Sequence, residues 1–329
     1  MLPNCSCQHE HEDVNMFNAV LVLGVLPVIS TVGVIANIFS ILIYSKHRQS
    51  ASLYLTALSC SDLGVCLSGI FVISADSLRP HFSLIDQTFV LLLPKLIPFG
   101  LAFQMLSVYI TVMAAIDCFL SVSRRYRDVK SWYCTMDNAH KVMFCLVFFV
   151  ILYNLILFGE LEAIKCFNLE SDVAMYELCP TEMRLNENYI TIYRGYMYAL
   201  IMAFLPFTFL LFLTIGILCA MNTRCAESNR EIMARAVDSM EAKTDDASSP
   251  IVLVMVVALF LLCNAISLLV NICDMIAGLI TPQTQMALID VGNVLVVFNA
   301  TANFFIYITF SQSYSKELRA MMRLKAPIS

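Results

Sequence analysis

The sequence predicts an all-α membrane protein: a seven-transmembrane helix bundle with a short amphipathic helix after the seventh span. Three observations carry this expectation. The 329 residues are 59% hydrophobic and only 14% charged, with a mean hydropathy of +0.77, whereas a soluble domain has about a quarter charged residues. Apolar runs long enough to cross a bilayer recur seven times. Lys and Arg, finally, collect in alternate loops.

The elements follow in order. The stretch "MLPNCSCQHEHEDVN" has no basic segment leading into an apolar core, so the first span itself is expected to target the chain. Residues 1–17 therefore read as a tail, 18–310 as the bundle and 311–329 as a helix and tail on the far side. The spans fall at about 18–44, 53–75, 90–121, 141–161, 194–221, 250–276 and 285–310. The third is the least regular, because Pro94, Lys95 and Pro98 crowd its first turns. No charge block, repeat or low-complexity linker divides the chain, which predicts one bundle and no second domain.

Orientation follows from the basic residues. Loops after odd-numbered spans carry Lys46, Arg48, Arg125, Arg127, Lys130 and Lys141, and the tail adds Lys316, Arg319 and Arg323. The other side has only Arg79, Lys95, Lys165, Arg184 and Arg194. The N-terminus is therefore expected outside, at the plasma membrane, and the tail in the cytoplasm. The glycosylation sequon at Asn4 agrees with that side, while the sequon at Asn299 lies mid-helix and is expected to stay unmodified. The outer face is acidic, which suits a cationic ligand. Glu160 and Asp290 stand at outer helix ends, and Asp76, Asp274 and Gln104 complete the expected ligand contacts.

Several classes are excluded. There is no basic face with interleaved aromatics for nucleic acid, no Gly-rich phosphate loop and no helix-borne His pair, so no enzyme is expected. Matched broken helices in two halves, the mark of a transporter, are not seen, which leaves a membrane transporter or channel as the lesser alternative to a receptor. Cys5, Cys7, His9 and His11 fit no common structural zinc spacing.

Inside the bundle, costly polar groups invite a function. Asp62 lies midway along the second span, Asn37 in the first, Ser107 in the third, and Asn299 and Asn303 share one face of the seventh. Two readings stay open: helix–helix hydrogen bonding, or oxygen ligands around one carboxylate holding a sodium ion.

"GVIAN", "LSCSD", "AIDCF", "FLLCN" and "NFFIY", each in its expected span, resemble the motifs of rhodopsin-like G-protein-coupled receptors over residues 18 to 323. "YNLILFGELE", "CPTEMRLNENYITIYRGYMYALIMAFLPF" and "FNATANFFIYITFSQSYSKELR" resemble the nematode FMRFamide-type neuropeptide receptors. That resemblance implies a short amidated peptide as ligand and a heterotrimeric G protein as partner. It also implies an activation switch built from Asp117, Cys118, Asp246, Phe260, Asn264 and Tyr307. Departures from the pattern are specific. Cys118 stands where the family has the arginine that reaches the sixth span or the G protein, Asn264 where it has tryptophan, and Phe304 where it has proline. A thiol cannot replace a forked guanidinium, so receptor-like binding without conventional coupling is the alternative. The third span also has no cysteine for the usual bridge to the second outer loop. Cys166 and Cys179 are expected to pair with each other, and a bridge to Cys5 or Cys7 is the alternative.

Overall fold

The computed structural model describes Cys5 and residues 16–74, 83–123, 125–168, 173–234, 250–275 and 281–323. Asn4, Asp76 and Asp246, and the side chain of Asp274, lie outside the described residues. Six helices are long and apolar enough to cross a membrane: Ala19–Tyr44, Ser50–Ser74, Gln87–Val122, Met136–Gly159, Tyr189–Thr223 and Gln283–Phe310. The apolar helix Pro250–Met275 adds the sixth span in chain order. Between the third and fourth spans lies a short helix, Arg127–Tyr133, and after the seventh comes a terminal helix, Gln312–Arg323.

Burial separates the spans by role. The third is central, with 61% of its most apolar window buried, against 22% and 17% for the fourth and fifth. Those two present Phe144, Phe148, Phe209 and Phe212 outward, which a bilayer tolerates and water would not. Pro94 and Pro98 both lie inside the continuous helix Ser83–Val122, so the irregular start expected from sequence is helical after all. The wider π-helical turn occupies Ala19–Val25, Gly69–Ser74 and Tyr189–Met197, rotating the side chains that follow.

The largest core cluster joins Tyr54, Leu58, Ile110, Leu210, Val256 and Tyr307, and a smaller one joins Val22, Leu26, Cys66 and Val297. Lipid is as apolar as leucine, so helix association depends on close packing. Gly33 shows this: a Cβ there would collide with Thr301 Oγ1 of the seventh span and Cys66 Sγ of the second. At the seventh span's end, Ser311 Oγ accepts the Tyr314 N–H (3.3 Å) and caps the terminal helix. Tyr314 and Leu318, one turn apart, bury the face of that helix turned to the bundle.

The helical bundle is as expected, with one addition: strands β1 (Leu161–Asn168) and β2 (Val173–Pro180) form an antiparallel hairpin in the connection between the fourth and fifth spans. Its register rules out the bridge expected between Cys166 and Cys179. Cys166 faces Met175, and Cys179 faces Glu162, so the two cysteines sit four positions apart along the ladder. At about 3.4 Å per residue that far exceeds the Cα separation a disulfide spans. Cys166 instead bonds Cys5 across a Cα distance of 5.0 Å, and the Cys5 N–H donates to the Phe167 carbonyl (3.2 Å). Cys179 is disulfide-bonded too, to a cysteine other than Cys166.

Candidate functional site

Four sites are strung along the bundle axis. In the middle, Asp62 is fully buried. Ser107 Oγ donates to its Oδ1 (2.6 Å) and Asn303 Nδ2 to its Oδ2 (2.8 Å), joining the second, third and seventh spans. The remaining side-chain oxygens of Asn299 and Asn303, and the Tyr307 hydroxyl, are buried without a hydrogen-bond partner. Asn37 does not reach this carboxylate. Its amide donates to the Gly33 and Ala300 carbonyls (2.9 and 3.0 Å), tying the first span to the seventh. The donor set is thus one carboxylate, one hydroxyl and amide oxygens, all hard ligands of the kind a small cation takes.

One step toward the hairpin end, Gln104, Tyr198, Phe207, Phe260 and Asn264 border a cavity of about 40 Å³. The structure therefore brings together Gln104, expected to touch ligand, with Phe260 and Asn264, expected to switch. Asn264 Nδ2 bonds the Phe260 carbonyl one turn back (2.9 Å), which turns its amide along its own helix. A space of this size admits only water-sized groups.

At the hairpin end, the expected ligand carboxylates part company. Glu160 is buried, and its oxygens accept from Arg194 Nε (2.7 Å) and Nη2, Arg184 Nη1 (2.8 Å) and the Tyr189 hydroxyl (2.6 Å). Burial pushes its carboxyl up, but Arg194, Tyr189 and Arg184 outweigh burial and hold it below the ordinary value. Stacked rings of Tyr153, Tyr193 and Tyr189 flank the cage, with centroids 5.4 and 5.2 Å apart. Asp290 is half-buried at the other edge, where Asn18 Nδ2 donates to its Oδ2 (2.7 Å) between the first and seventh spans. Gln87 of the third span clasps β2: its Oε1 accepts the Tyr176 N–H (2.7 Å) and its Nε2 donates to the Tyr176 carbonyl (3.4 Å).

At the terminal-helix end, Asp117 and Cys118 border a cavity of about 370 Å³ with Arg48, Ser50, Lys130 and Leu253. Asp117 is 3% exposed, and its Oδ1 has no hydrogen-bond partner. Lys130 Nζ donates to the Ser121 carbonyl (3.2 Å), and the Cys134 thiol lies 3.7 Å from the Asp117 carbonyl. Burial, then the Asp117 charge, pushes that thiol up to about 11, so it stays protonated at neutral pH. At the terminal helix, Tyr307 packs with Tyr44 and Tyr314, ring centroids 5.1 and 5.5 Å away. Ser40 Oγ meets the Tyr314 hydroxyl at 2.9 Å, and His47 meets Glu317 at 2.7 Å.

Sequence reasoning missed Arg194, Gln87 and Lys130, and of the tyrosine cluster it singled out Tyr307 alone. Ser40 and Tyr44 carried a signal, being polar groups inside an apolar span. Lys130 carried none that sets it apart from its basic neighbours.

Residues 24–325 match the family described as serpentine type 7TM GPCR chemoreceptor Srw. The chain is 32% identical to the probable G-protein coupled receptor frpr-1 of Caenorhabditis elegans, over 95% of this chain and 81% of that one. It is 26% identical to the FMRFamide receptor of Drosophila melanogaster, over 90% of this chain and 52% of the relative. With the FMRFamide peptide receptor frpr-18 of C. elegans it shares 27%, over 88% and 66%. A bundle of this build, matched from its first span to its terminal helix, belongs to the serpentine seven-transmembrane G-protein-coupled receptors of the Srw family.

Proposed function

We propose that the chain is a rhodopsin-like neuropeptide receptor of the plasma membrane, with the hairpin end outside and the terminal-helix end in the cytoplasm. Its ligand is a short amidated peptide bearing a cation, and its inner partner is a heterotrimeric G protein. The observation that carries this reading is the match along nearly the whole chain to frpr-1, together with relatives named for FMRFamide. The structure supports it chemically: a fixed hairpin and Asp290 stand at one end, and a cavity floored by Asp117 lies at the other.

The ligand contacts are assigned to Gln104 and Asp290, and Asp76 and Asp274, whose side chains lie outside the described residues, are kept as candidates. Glu160 is reassigned to the scaffold, because a peptide arginine would have to displace Arg194 to reach it. The cluster of Asp62, Ser107, Asn299 and Asn303, with Asn37 beside it, takes a sodium ion. The ion's charge offsets the carboxylate, whose burial uncompensated is costly.

A library of amidated peptides applied to cells expressing the chain tests the function, with surface binding and second messengers read separately. Tags at residue 1 and after Ser329 test the orientation. Failure of every amidated peptide to bind, or an N-terminal tag that labels only in permeabilised cells, would sink the proposal.

A further inference from the structure

Asp117 sits at the inner end of the third span with one buried, unpartnered oxygen, Oδ1; Ser50 and Cys134 hydrogen-bond its carboxyl without bringing a charge, and the next residue is a thiol rather than a cation. A charge of opposite sign must come from another element, since a buried carboxylate with neutral partners alone stays uncompensated and costly. Among the described residues, two cationic side chains border the same cavity, Arg48 and Lys130. Only Lys130 has its ammonium seated on the third span, at the Ser121 carbonyl (3.2 Å). Ser121 is four residues beyond Asp117, one helical turn or about 6 Å along the axis, so a rotation about the lysine's side-chain bonds moves the ammonium from one to the other.

The backbone that carries Lys130 is held in place. Its short helix Arg127–Tyr133 docks through the Tyr133 hydroxyl on Met113 Sδ (3.6 Å). The Cys134 thiol at the Asp117 carbonyl (3.7 Å) and the Phe119–Tyr126 ring pair (5.8 Å) complete the seat. An ammonium on a long side chain, carried by a docked helix with two acceptors one turn apart, is able to take the two discrete arrangements that a switch requires.

We infer that Lys130 supplies, from the second inner loop, the positive charge that position 118 lacks, and that its pairing with Asp117 holds the resting arrangement of the inner cavity. The inference deepens the receptor reading and rests on it for the signalling consequence alone. An inner partner entering the cavity takes the ammonium or the carboxylate for itself and breaks the pair.

Two measurements test this. The first needs no ligand: melting of the purified full chain in lipid nanodiscs for wild type, Asp117→Asn, Lys130→Gln and the double variant. The double variant is expected to melt no lower than the worse single one, and Arg48→Gln to leave that coupling intact. Additive losses, or a lysine variant that changes nothing, overturn the pair. The second is unstimulated signalling in cells at matched surface expression. Lys130→Gln is expected to raise it about threefold, the shift that loss of one half-exposed charge pair produces. Lys130→Arg is expected to preserve the resting level, and Cys118→Arg to restore it in the Lys130→Gln background. Restoration failing in both overturns the inference. A chain that binds peptide yet never signals defeats the coupling reading, and the melting cycle then decides the pair by itself.

Discussion

Replacing Glu160 by Gln separates a structural carboxylate from a ligand-binding one. Glu160 is 2% exposed and accepts from two guanidiniums and one phenol. Removing one partner of a buried ion pair costs about 3–5 kcal/mol. Here Arg184 and Arg194 are 38% and 30% exposed, so water screens part of the change, and glutamine keeps one acceptor oxygen. About 2 kcal/mol remains after that discount, a fall in Tm of roughly 3 °C for a chain of this size. The assay is melting of purified protein in nanodiscs by circular dichroism, beside peptide binding at a temperature where both forms are folded. Arg194→Ala should cost more than Arg184→Ala, because Arg194 makes two of the bonds. The pH dependence has a fixed sign. Arginine and tyrosine hold the folded carboxyl below the ordinary 4.5, so its stabilisation is complete above that pH and is lost as pH falls through the folded value. The glutamine variant should lose this acid limb. Unchanged melting with weakened peptide binding would refute the cage and return Glu160 to the ligand.

Three more outcomes follow from the geometry. Non-reducing digestion and mass spectrometry should recover a Cys5–Cys166 linked peptide, while a Cys166–Cys179 link would contradict the hairpin register. Gly33→Leu should sharply reduce folded yield, since its side chain meets Thr301 and Cys66, whereas Gly24→Ala, with nothing within 4 Å of the added carbon, should not; equal yields would argue against this helix packing. Asp62→Asn should abolish any dependence of peptide affinity on sodium, and a wild type indifferent to sodium would leave only hydrogen bonding between Asp62, Ser107 and Asn303.

The spans were legible because lipid exposure demands apolar length, a one-dimensional property that survives without knowledge of neighbours. The partners of each polar group were not. Asp62, Ser107 and Asn303 could be placed in one layer from helix positions, and they do meet. Asn37 was placed with them, yet it bonds the Ala300 carbonyl, because a backbone acceptor leaves no mark in the sequence. Glu160 was read as facing ligand because its outermost position was visible and Arg194, 34 residues later, was not visibly near it. The hairpin was hidden for a related reason. "LEAIKCFN" looks like the polar end of a helix until its pairing with "VAMYELCP" is known.

The bridge between Cys5 and Cys166 has a sequence separation of 161 residues, so it closes a covalent ring around the first four spans. The sixth and seventh stay outside that ring, attached through a single length of chain. A protease cut in the loop between the first and second spans would therefore leave one molecule on a denaturing gel until reductant opens it. A cut between the fifth and sixth spans would release the last two without reductant. The receptor is thus divided by its bonding into a closed loop and an open arm. The arm includes the sixth span, one wall of the cavity beside Asp117, and can shift without straining the ring.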